Sequence, residues 1–347
     1  MPEHVVTLTV NGTKHEGWKT VRINRGVEQI SGAFSLEVTE RWPKQPEKRE
    51  IPEGARCTVA IDGEVVITGY VDDVEVSYDQ ETHSVRVSGR DATGDLVDCS
   101  AIHKPGEWHD RTLEQIAADI CAPFGVKLRT EVNTGKAFAD FTLQKGETAF
   151  EAIQRMCRAR GVLAMADGRG ALVICRSGTQ RFGKLVEGKG GNIKNAEAKR
   201  SWRDRFSEYR VTGQAPGTEW GTPGEAAGVS AIARDHGVTR YRPMLIVADL
   251  AEGVSFADQA NWHARTREAK SKPATFTVQG WAFKGGLWHP NRLVPVHAPV
   301  AKVVGDRLIA SIDQTLTEKE GELTKISLVG AGAFDVLPVP ETKGGAW

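Results

Sequence analysis

Apolar and polar residues alternate through most of the first hundred positions, the pattern of half-buried strands. The stretch from His4 to Val10 alternates and ends at Asn11-Gly12, two residues that tolerate positive φ. We therefore predict a tight hairpin in which Lys19–Asn24 returns as the partner strand. The same pattern predicts further strands at Ala33–Thr39, Arg56–Ile61, Val65–Tyr78 and His83–Gly89.

Turn and loop signals separate these strands. The Pro-rich, charged stretch Trp42–Gly54 predicts a surface loop, and Asp62-Gly63 predicts the turn before the longest strand. Many short strands without a helical segment are typical of a small closed barrel or a sandwich, because these arrangements leave few open edges. The first hundred residues thus predict an antiparallel β-barrel.

From about residue 100 the apolar spacing changes from 2 to 3.6, which predicts helices. Thr112-Leu113-Glu114-Gln115 fits a capping box, and Gly125 is placed to end that helix. Thr148-Ala149-Phe150-Glu151 repeats the device before Gly161, at a constant offset of 36 residues. A hairpin at Leu163–Ala166 and Ala171–Cys175 follows, so we predict a small duplicated α+β unit.

The last part of the chain returns to strand patterns after a Gly-rich linker at Glu187–Asn192. Strands are predicted at Ile193–Lys199 and Phe206–Gly213. An inserted segment follows, with a helix that Ser255 caps and that runs from Phe256 to about Lys270. Strand character resumes at Ala274–Ala282.

Two hairpins in the two strand-rich parts share a pattern. Placing Leu308–Gly330 on Ile67–Gly89 at a constant offset of 241 pairs Ile312 with Val71 and Gly330 with Gly89. This agreement predicts two similar antiparallel β-barrels.

The predicted fold class is mainly β with an α+β part: two β-barrels, a small duplicated α+β domain between them and an insertion in the second barrel. The predicted boundaries are 1–95 for the first barrel, 96–185 for the α+β domain, 186–215 with 273–337 for the second barrel, 216–272 for the inserted segment and 338–347 for a C-terminal tail.

Composition limits the possible functions. Forty-five Lys and Arg residues balance forty-five Asp and Glu residues in a chain of 347, so no net field attracts nucleic acid or an anionic membrane. The N-terminus lacks a signal-peptide pattern, and no run approaches the roughly 20 apolar residues of a membrane span. We therefore expect a soluble chain made in the cytosol.

The five cysteines are odd in number and widely spaced, which favours free thiols over a disulfide framework. Because apolar residues lie within two positions of each cysteine, we expect Cys99, Cys121 and Cys157 to be buried.

The sequence contains only weak signals for catalytic or metal-binding groups. His103 and His109, with Asp110 beside the second, lack a helix that would place both rings on one face. His289 is expected in a turn. Gly188-Lys189-Gly190-Gly191 lacks the ending of a phosphate-binding loop and is interpreted as a linker. No catalytic, cofactor-binding or metal-binding residue and no cofactor is predicted.

Two further features leave alternatives open. Asp72-Asp73 interrupts a strand and is interpreted as a solvated edge or a bulge, because successive carboxylates point to opposite faces. Trp281, Phe283 and Trp288 near several glycines fit a sugar-binding platform, an interface anchor or core packing.

The junction between strands and helices carries a resemblance. A strand that ends in Gly89-Arg90-Asp91-Ala92-Thr93, then Asp95-Leu96-Val97-Asp98-Cys99-Ser100-Ala101, then two short helices, resembles the tail hub proteins of contractile phages of the Mu-like and P2-like kinds. Gly-Gly-Leu-Trp-His-Pro-Asn-Arg-Leu-Val-Pro-Val at 285–296 extends the resemblance, which covers most of the chain. The family is also similar to the hub part of the type VI secretion spike.

The resemblance implies a homotrimer whose two barrels per chain form a pseudo-sixfold ring, and no catalytic residues. Such a ring would adapt a sixfold tail tube to a threefold central spike in the virion baseplate, beside other baseplate proteins, with DNA passing through without specific binding. Assembly in the cytoplasm of the bacterial host is expected. The alternative hypothesis is a cell-wall-binding or peptidoglycan-hydrolysing tail protein, although no acidic pair stands out in the sequence.

Overall fold

The computed structural model describes residues 4–39, 51–79, 83–214, 227–248 and 255–338. Strands predominate within these ranges, and they form one large sheet with several small ones. No helix in the described ranges combines the length and apolarity that crossing a membrane requires.

The first β region contains seven strands. They are β1 (Val6–Val10), β2 (Thr13–His15), β3 (Thr20–Gly26), β4 (Ala33–Thr39), β5 (Arg56–Ile61), β6 (Glu64–Tyr78) and β7 (His83–Asp91). The turn at Asn11-Gly12 is confirmed, with φ of 50° and 81°. Its predicted partner strand is wrong, because β1 pairs with β2, and a two-residue turn brings together the residues next to it. Most of the predicted loop Trp42–Gly54 lies outside the described residues.

The middle region combines three α-helices with five strands. They are α1 (Gly94–Asp98), β8 (Glu107–Arg111), α2 (Leu113–Cys121), β9 (Lys127–Thr130), β10 (Phe138–Thr142), α3 (Ala149–Arg160), β11 (Leu163–Ala166) and β12 (Ala171–Cys175).

Both predicted capping boxes in the middle region are confirmed. The Thr112 and Thr148 side chains each accept a hydrogen bond from the backbone three residues on, and the side chain there returns one. Gly125 and Gly161 take positive φ where the two helical segments end. β8 pairs with β10, and β9 and β11 flank β12, so two strand–helix–strand units pack around one core.

The second β region contains eight strands in the described residues, with a separate unit inserted between the second and third of them. The first two strands are β13 (Leu185–Val186) and β14 (Ile193–Ala198). The inserted unit contains β15 (Glu208–Gln214), β16 (Ala227–Arg234), β17 (Pro243–Val247) and α4 (Phe256–Lys270). The other six strands of the region are β18 (Ala274–Gln279), β19 (Ala282–Phe283), β20 (Gly286–Leu287), β21 (Leu293–Ala298), β22 (Val303–Thr317) and β23 (Gly321–Val329).

The inserted unit begins earlier in the chain than expected. β15 pairs with β16 and β17, and α4 packs on this three-stranded sheet, with Val211, Ala233 and Ala260 buried between them. Placing the strand Phe206–Gly213 in the second barrel is therefore wrong, since an alternating pattern does not specify which sheet a strand joins. The cap at Ser255 is confirmed.

The large sheet has the order β14-β18-β23-β22-β3-β4-β7-β6-β5-β1-β2. β21 pairs with residues 303–308 of β22, and β13 lies beside β21. Two closed barrels were expected, but the described strands follow one open path. The physical reason is that β3 uses its edge away from β4 to pair with β22, so this edge does not close the first region on itself.

The same strand order occurs in both β regions. β4-β7-β6-β5 in the first corresponds to β18-β23-β22-β21 in the second, with β3 beside β4 and β14 beside β18. Both long hairpins carry a bulge, at Val71/Asp73 and at Ile309/Ser311. The bulge interpretation of Asp72-Asp73 is therefore confirmed.

The bulges also correct the predicted alignment of the two hairpins. They align Val71 with Ile309 and Gly89 with Leu328, an offset of 238 on the long strand and 239 on the return strand instead of 241. Because side chains alternate with a period of two, an alignment that is wrong by two residues keeps the same apolar pattern. The bulge adds one residue to the long strand, so an alignment error of three residues across it keeps the pattern as well.

The cysteines are free in the structure, as predicted. Cys57, Cys121, Cys157 and Cys175 are buried, but Cys99 is exposed, so that expectation is wrong. Cys99 follows the five-residue helix α1 in extended conformation, and its sequence neighbours do not cover it.

Candidate assembly surfaces

Six backbone pairs between β3 and β22 join the two β regions edge to edge, from Ser311 opposite Gly26 to Leu316 opposite Val21. On the outer face the Arg22 guanidinium donates hydrogen bonds to both carboxylate oxygens of Asp313. The hydrogen bond and charge of Asp313 raise the pKa of Arg22. The joint is thus a continuous sheet with an ion pair across it.

A buried arginine lies beneath this joint. The Nη2 of Arg25 donates to the Trp288 carbonyl at 3.1 Å and to Oε1 of Gln314 at 3.2 Å. Burial lowers the pKa of Arg25 to about 10, while the charge of Glu64 acts in the opposite direction. Because Arg25 belongs to the first region and its partners to the second, these bonds tie the regions together from inside.

His289 lies at the same joint, between β20 and β21, outside the named strands as expected. Its Nε2 is 3.4 Å from Oε1 of Glu64. Burial, with the positive charges of Arg25, Arg292 and Arg169, lowers the pKa of His289 to about 4, so the ring is neutral at pH 7. His289, a residue of the second β region, thus contacts the first region as part of the joint.

The tryptophans at 281 and 288 are core residues. Trp281 packs in the hydrophobic core of the first region although it lies in the second, and its Nε1 donates to the Thr315 carbonyl at 3.1 Å. Trp288 packs against Phe182 and Phe283 in the core of the second region, with ring centroids 5.7 Å apart in each pair. Both rings are fully buried, so the core alternative is the one observed and neither ring forms an exposed platform.

The first described residue provides another link between the regions. The His4 backbone N–H donates to Oε1 of Glu322 at 2.8 Å, and its ring Nδ1 lies 2.6 Å from Oε2. The His4 ring also stacks on Trp281 with centroids 5.7 Å apart. The short hairpin β19–β20 supplies Leu287 to the first core, so the packing of one region depends on the other.

The Gly-Arg-Asp-Ala-Thr segment holds the exit from β7 to α1. A Cβ at Gly89 would lie 2.1 Å from the Tyr70 carbonyl oxygen, so close backbone approach requires glycine. Arg90 donates to Asp72 at 2.8 Å and makes an ion pair with Asp98 at 2.7 Å. The segment therefore connects the bulge of β6, the end of β7 and the first helix.

Asp91 in this segment is buried and carries an altered pKa. Its Oδ1 accepts hydrogen bonds from the Thr93 backbone N–H at 3.0 Å and from the Thr93 hydroxyl at 2.9 Å. Burial raises the pKa of Asp91 to about 6, and the charge of Asp167 contributes in the same direction. The carboxyl thus has a structural role at the turn.

The other candidate polar residues remain apart. His109 lies in β8, where its Nδ1 is 2.7 Å from Oδ1 of Asp140, and both side chains are exposed. His103 instead stacks on Trp108, with centroids 4.6 Å apart. In the part of the chain that the structure describes, no group of three His, Cys, Asp or Glu side chains is placed to hold a metal ion. Gly188–Gly191 forms the turn between β13 and β14, closed by a backbone hydrogen bond of 2.9 Å.

Several strand edges of the large sheet, among them the outer sides of β2 and β13, are open among the described residues, and two more lie where the repeat of the β regions has a paired counterpart. One is the outer half of β6, since β5 pairs with β6 only as far as Tyr70. The other is the side of β14 away from β18, where the sheet path ends. Unpaired strand edges are ready-made sites for pairing with another chain. The sequence did not indicate these edges, because they follow from which strands pair.

Three family models match successive parts of the chain. The model described as "Mu phage baseplate assembly protein GpP-like, N-terminal" matches residues 5–91. "Baseplate hub protein gp44-like, second domain" matches residues 93–176. "Mu phage baseplate assembly protein GpP, fourth domain" matches residues 254–337. The fold and these matches define a phage tail baseplate protein.

Relatives agree over nearly the full length. The chain is 36% identical to the baseplate hub protein gp44 of Escherichia phage Mu over 348 residues, which cover 97% of this chain and 90% of that protein. The crystal structure of the 43 kDa tail protein of prophage MuSo2 from Shewanella oneidensis has a TM-score of 0.82 at 37% identity, covering 96% of this chain and 100% of that one. The chain belongs to the baseplate hub family of the Mu-like phages.

A more distant match shares only the fold. An E. coli component of the type VI secretion system has a TM-score of 0.57 at 11% identity, covering 96% of this chain and 80% of that one. The resemblance that rested on the Gly-Arg-Asp-Ala-Thr junction is confirmed.

Proposed function

We propose that this chain is the structural hub of a contractile tail baseplate, a homotrimeric ring that adapts a sixfold tail tube to a threefold central spike. The observation that carries this proposal is the repeated strand order of the two β regions, joined edge to edge through β3 and β22. A chain with two similar regions presents two similar surfaces, so a trimer presents six.

The ring follows from simple geometry. If the two β regions of one chain are related by a rotation of about 60°, two rotations of 120° place six of them at regular intervals around one axis. A sixfold tube would then meet nearly equivalent surfaces at every contact, whereas the spike would meet a threefold symmetric chain arrangement. The links of Arg25, His4 and Trp281 across the joint hold the two regions in one fixed relation, as such a ring requires.

The face of the shared sheet opposite the two cores suits a channel for DNA. Its charges alternate in sign and are paired: Arg86 lies 2.9 Å from Glu37 and 3.5 Å from Glu75, and Arg22 pairs with Asp313. A surface without a continuous Lys/Arg stripe would let the phosphate backbone pass without strong binding, because such binding grows with each neutralised phosphate.

The remaining parts of the chain fit peripheral roles in this proposal. The domain limits proposed from the sequence are kept, except that the inserted unit begins near Glu208. The middle region and the inserted unit take no part in the repeat of the two β regions, so they face the spike or other baseplate proteins. The chain acts as a non-enzymatic component of the virion that assembles in the host cytoplasm.

Mass measurement in solution and electron microscopy test this proposal. We expect a threefold ring with an open centre, alone or with the tube and spike proteins added. A chain that stays monomeric at high concentration with both partners present, or a ring with a closed centre, would overturn it. Incubation with peptidoglycan is the control, since pelleting with the wall or release of fragments would favour the cell-wall alternative.

A further inference from the structure

The internal repeat assigns a partner to two open edges of the large sheet, the outer half of β6 and the free side of β14. In the second region, the outer half of β22 pairs with β3 through residues 311–316. The bulges make Glu75, Val76 and Ser77 of β6 the counterparts of residues 313–315. No described strand pairs with this part of β6 on the side away from β7. The repeat therefore predicts a strand there that corresponds to β3.

The counterpart of β3 in the second region is β14. Ile326, Phe276 and Ala196 lie in one row across β23, β18 and β14, as Val87, Leu36 and Val21 do across β7, β4 and β3. The Lys199 backbone N–H donates to Pro273 on the β18 side. Because amide groups alternate along an antiparallel strand, those of Ala196 and Ala198 point to the open side.

Side-chain exposure supports the same assignment. Gln314 and Leu316 on β22 are 0% and 9% exposed, on the strand that β3 covers. Their counterparts on β6, Val76 and Tyr78, are 58% and 79% exposed. Two large side chains with much apolar surface are thus exposed in the single chain at positions whose repeat equivalents are buried.

We infer that the outer half of β6 pairs antiparallel with β14 of a neighbouring copy of this chain, and so closes the ring. The register of β3 on β22, transferred by the repeat, places Val76 opposite Ala198, Ser77 opposite Glu197 and Glu75 opposite Lys199. This inference rests on the proposed trimer and specifies its subunit contact. The contact is head to tail, because a β6 edge meets a β14 edge at every interface.

The side chains fit this register. Glu75 and Lys199 carry opposite charges and would lie directly opposite each other, which favours pairing, whereas like charges in that position oppose it. The small side chains of Ala196 and Ala198 leave room for Tyr78 and Val76 on the core side. The same pairing also makes one continuous sheet through all six β regions of the trimer. The pairing of β3 with β22 joins the two regions within each chain, and the pairing of β6 with β14 joins neighbouring chains.

Cysteine pairs test the register in the assembled protein. In a background of Cys99→Ser, which removes the exposed thiol, Ser77→Cys is combined with Glu197→Cys. These positions form a non-hydrogen-bonded pair with Cα atoms about 4.5 Å apart, within disulfide range. The matched control combines Asp73→Cys with Glu197→Cys, which are displaced by four residues, or about 13 Å, along the strand.

We expect oxidised tails or rings of the first variant to give covalent dimers and trimers on denaturing gels without reductant. The control pair and each single-cysteine variant should stay monomeric. A single Ser77→Cys variant that crosslinks to itself would indicate a twofold contact and overturn the inference.

Failure of the inference and failure of the proposed function give different results. A trimer of the correct mass in which the first variant crosslinks no more than the control would overturn the edge pairing and leave the hub proposal intact. A chain that is monomeric with its tube and spike partners present would overturn both. The added side chains replace exposed residues, and circular dichroism checks that the variants fold.

Discussion

The guanidinium of Arg22 on β3 binds the carboxylate of Asp313 on β22 through hydrogen bonds of 3.1 and 2.8 Å, 291 positions apart in sequence. This pair lies on the outer face of the joint between the β regions. It therefore reports on the joint without disturbing either core.

Charge reversal tests how much this pair contributes. The Arg22 side chain is 65% exposed, so Arg22→Ala should lower the free energy of unfolding by only about 0.5 kcal/mol. Arg22→Asp should cost more, because it places two carboxylates together, and Asp313→Arg added to it should restore much of the loss. Urea denaturation measures all three. A double variant no better than the single reversal would show that the pair does not interact.

Trp281→Ala should destabilise both β regions together. The indole is buried in the first core but belongs to the second region, and truncating a buried tryptophan costs about 3–5 kcal/mol. Trp202→Ala is the control, since Trp202 is 39% exposed and its loss should cost less than about 1 kcal/mol. Thermal unfolding of the Trp281 variant in two separate steps would contradict the coupling of the regions.

Asp91 should make stability depend on pH between about 4 and 6. Its pKa rises from an ordinary value of 3.8 to about 6, so the folded chain keeps a proton that the unfolded chain loses. The stabilisation is fully present below pH 3.8, the ordinary pKa of the carboxyl in the unfolded chain, and is lost as pH rises through 6. This contribution to the free energy of unfolding falls by up to about 3 kcal/mol over this range. Asp91→Asn removes this dependence.

The measurement compares the free energy of unfolding of both proteins from pH 3.5 to 7. The other carboxylates are common to both, so the difference between the two curves isolates Asp91. Relative to Asp91→Asn, the natural chain should become less stable as pH rises. Two parallel curves would rule out this role of Asp91.

Cys99 should be the fast-reacting thiol of the native protein. It is exposed, whereas burial raises the pKa of Cys57, Cys121 and Cys157 to about 12 and that of Cys175 to about 11. Because the thiolate is the reactive form, the buried thiols should react only after unfolding. Ellman's reagent should label one thiol at once in the native protein and none in Cys99→Ser. A second rapid phase would contradict the buried assignments.

Local structure was predictable from the sequence where it depends on neighbouring residues. The capping boxes at Thr112 and Thr148 and the helix cap at Ser255 depend on residues within four positions of each other, and each was found as expected. The strands Ala33–Thr39 and Arg56–Ile61 also match their predicted limits. Alternation and turn residues specify such elements without reference to the rest of the molecule.

Pairing between distant segments was less predictable. Nothing in the pattern of β3 distinguishes β1 from β22 as its partner, and β15 alternates equally well in either sheet. A period of two also allows a register slip of two residues without moving a side chain to the other face. These choices depend on the tertiary arrangement.

Burial of single residues shows the same limit. Cys99 has Val97 and Ala101 two positions away in sequence, but it follows a helix of one turn in extended conformation and is exposed. Trp281 was equally consistent with core and surface roles. What determines its burial is the position of the first region's core, which the sequence around residue 281 does not contain.

The inserted unit leaves and re-enters the large sheet at paired residues. The Lys199 N–H donates to the Pro273 carbonyl at 2.9 Å, and Ser201 to Ser271 at 3.0 Å, so both ends of the unit meet at one place on the edge of the sheet. The cost of closing a loop between fixed ends grows only slowly with its length. The inserted unit can therefore change in length without altering the register of β14 on β18, so the sheet and this appendage are structurally separable parts of the chain.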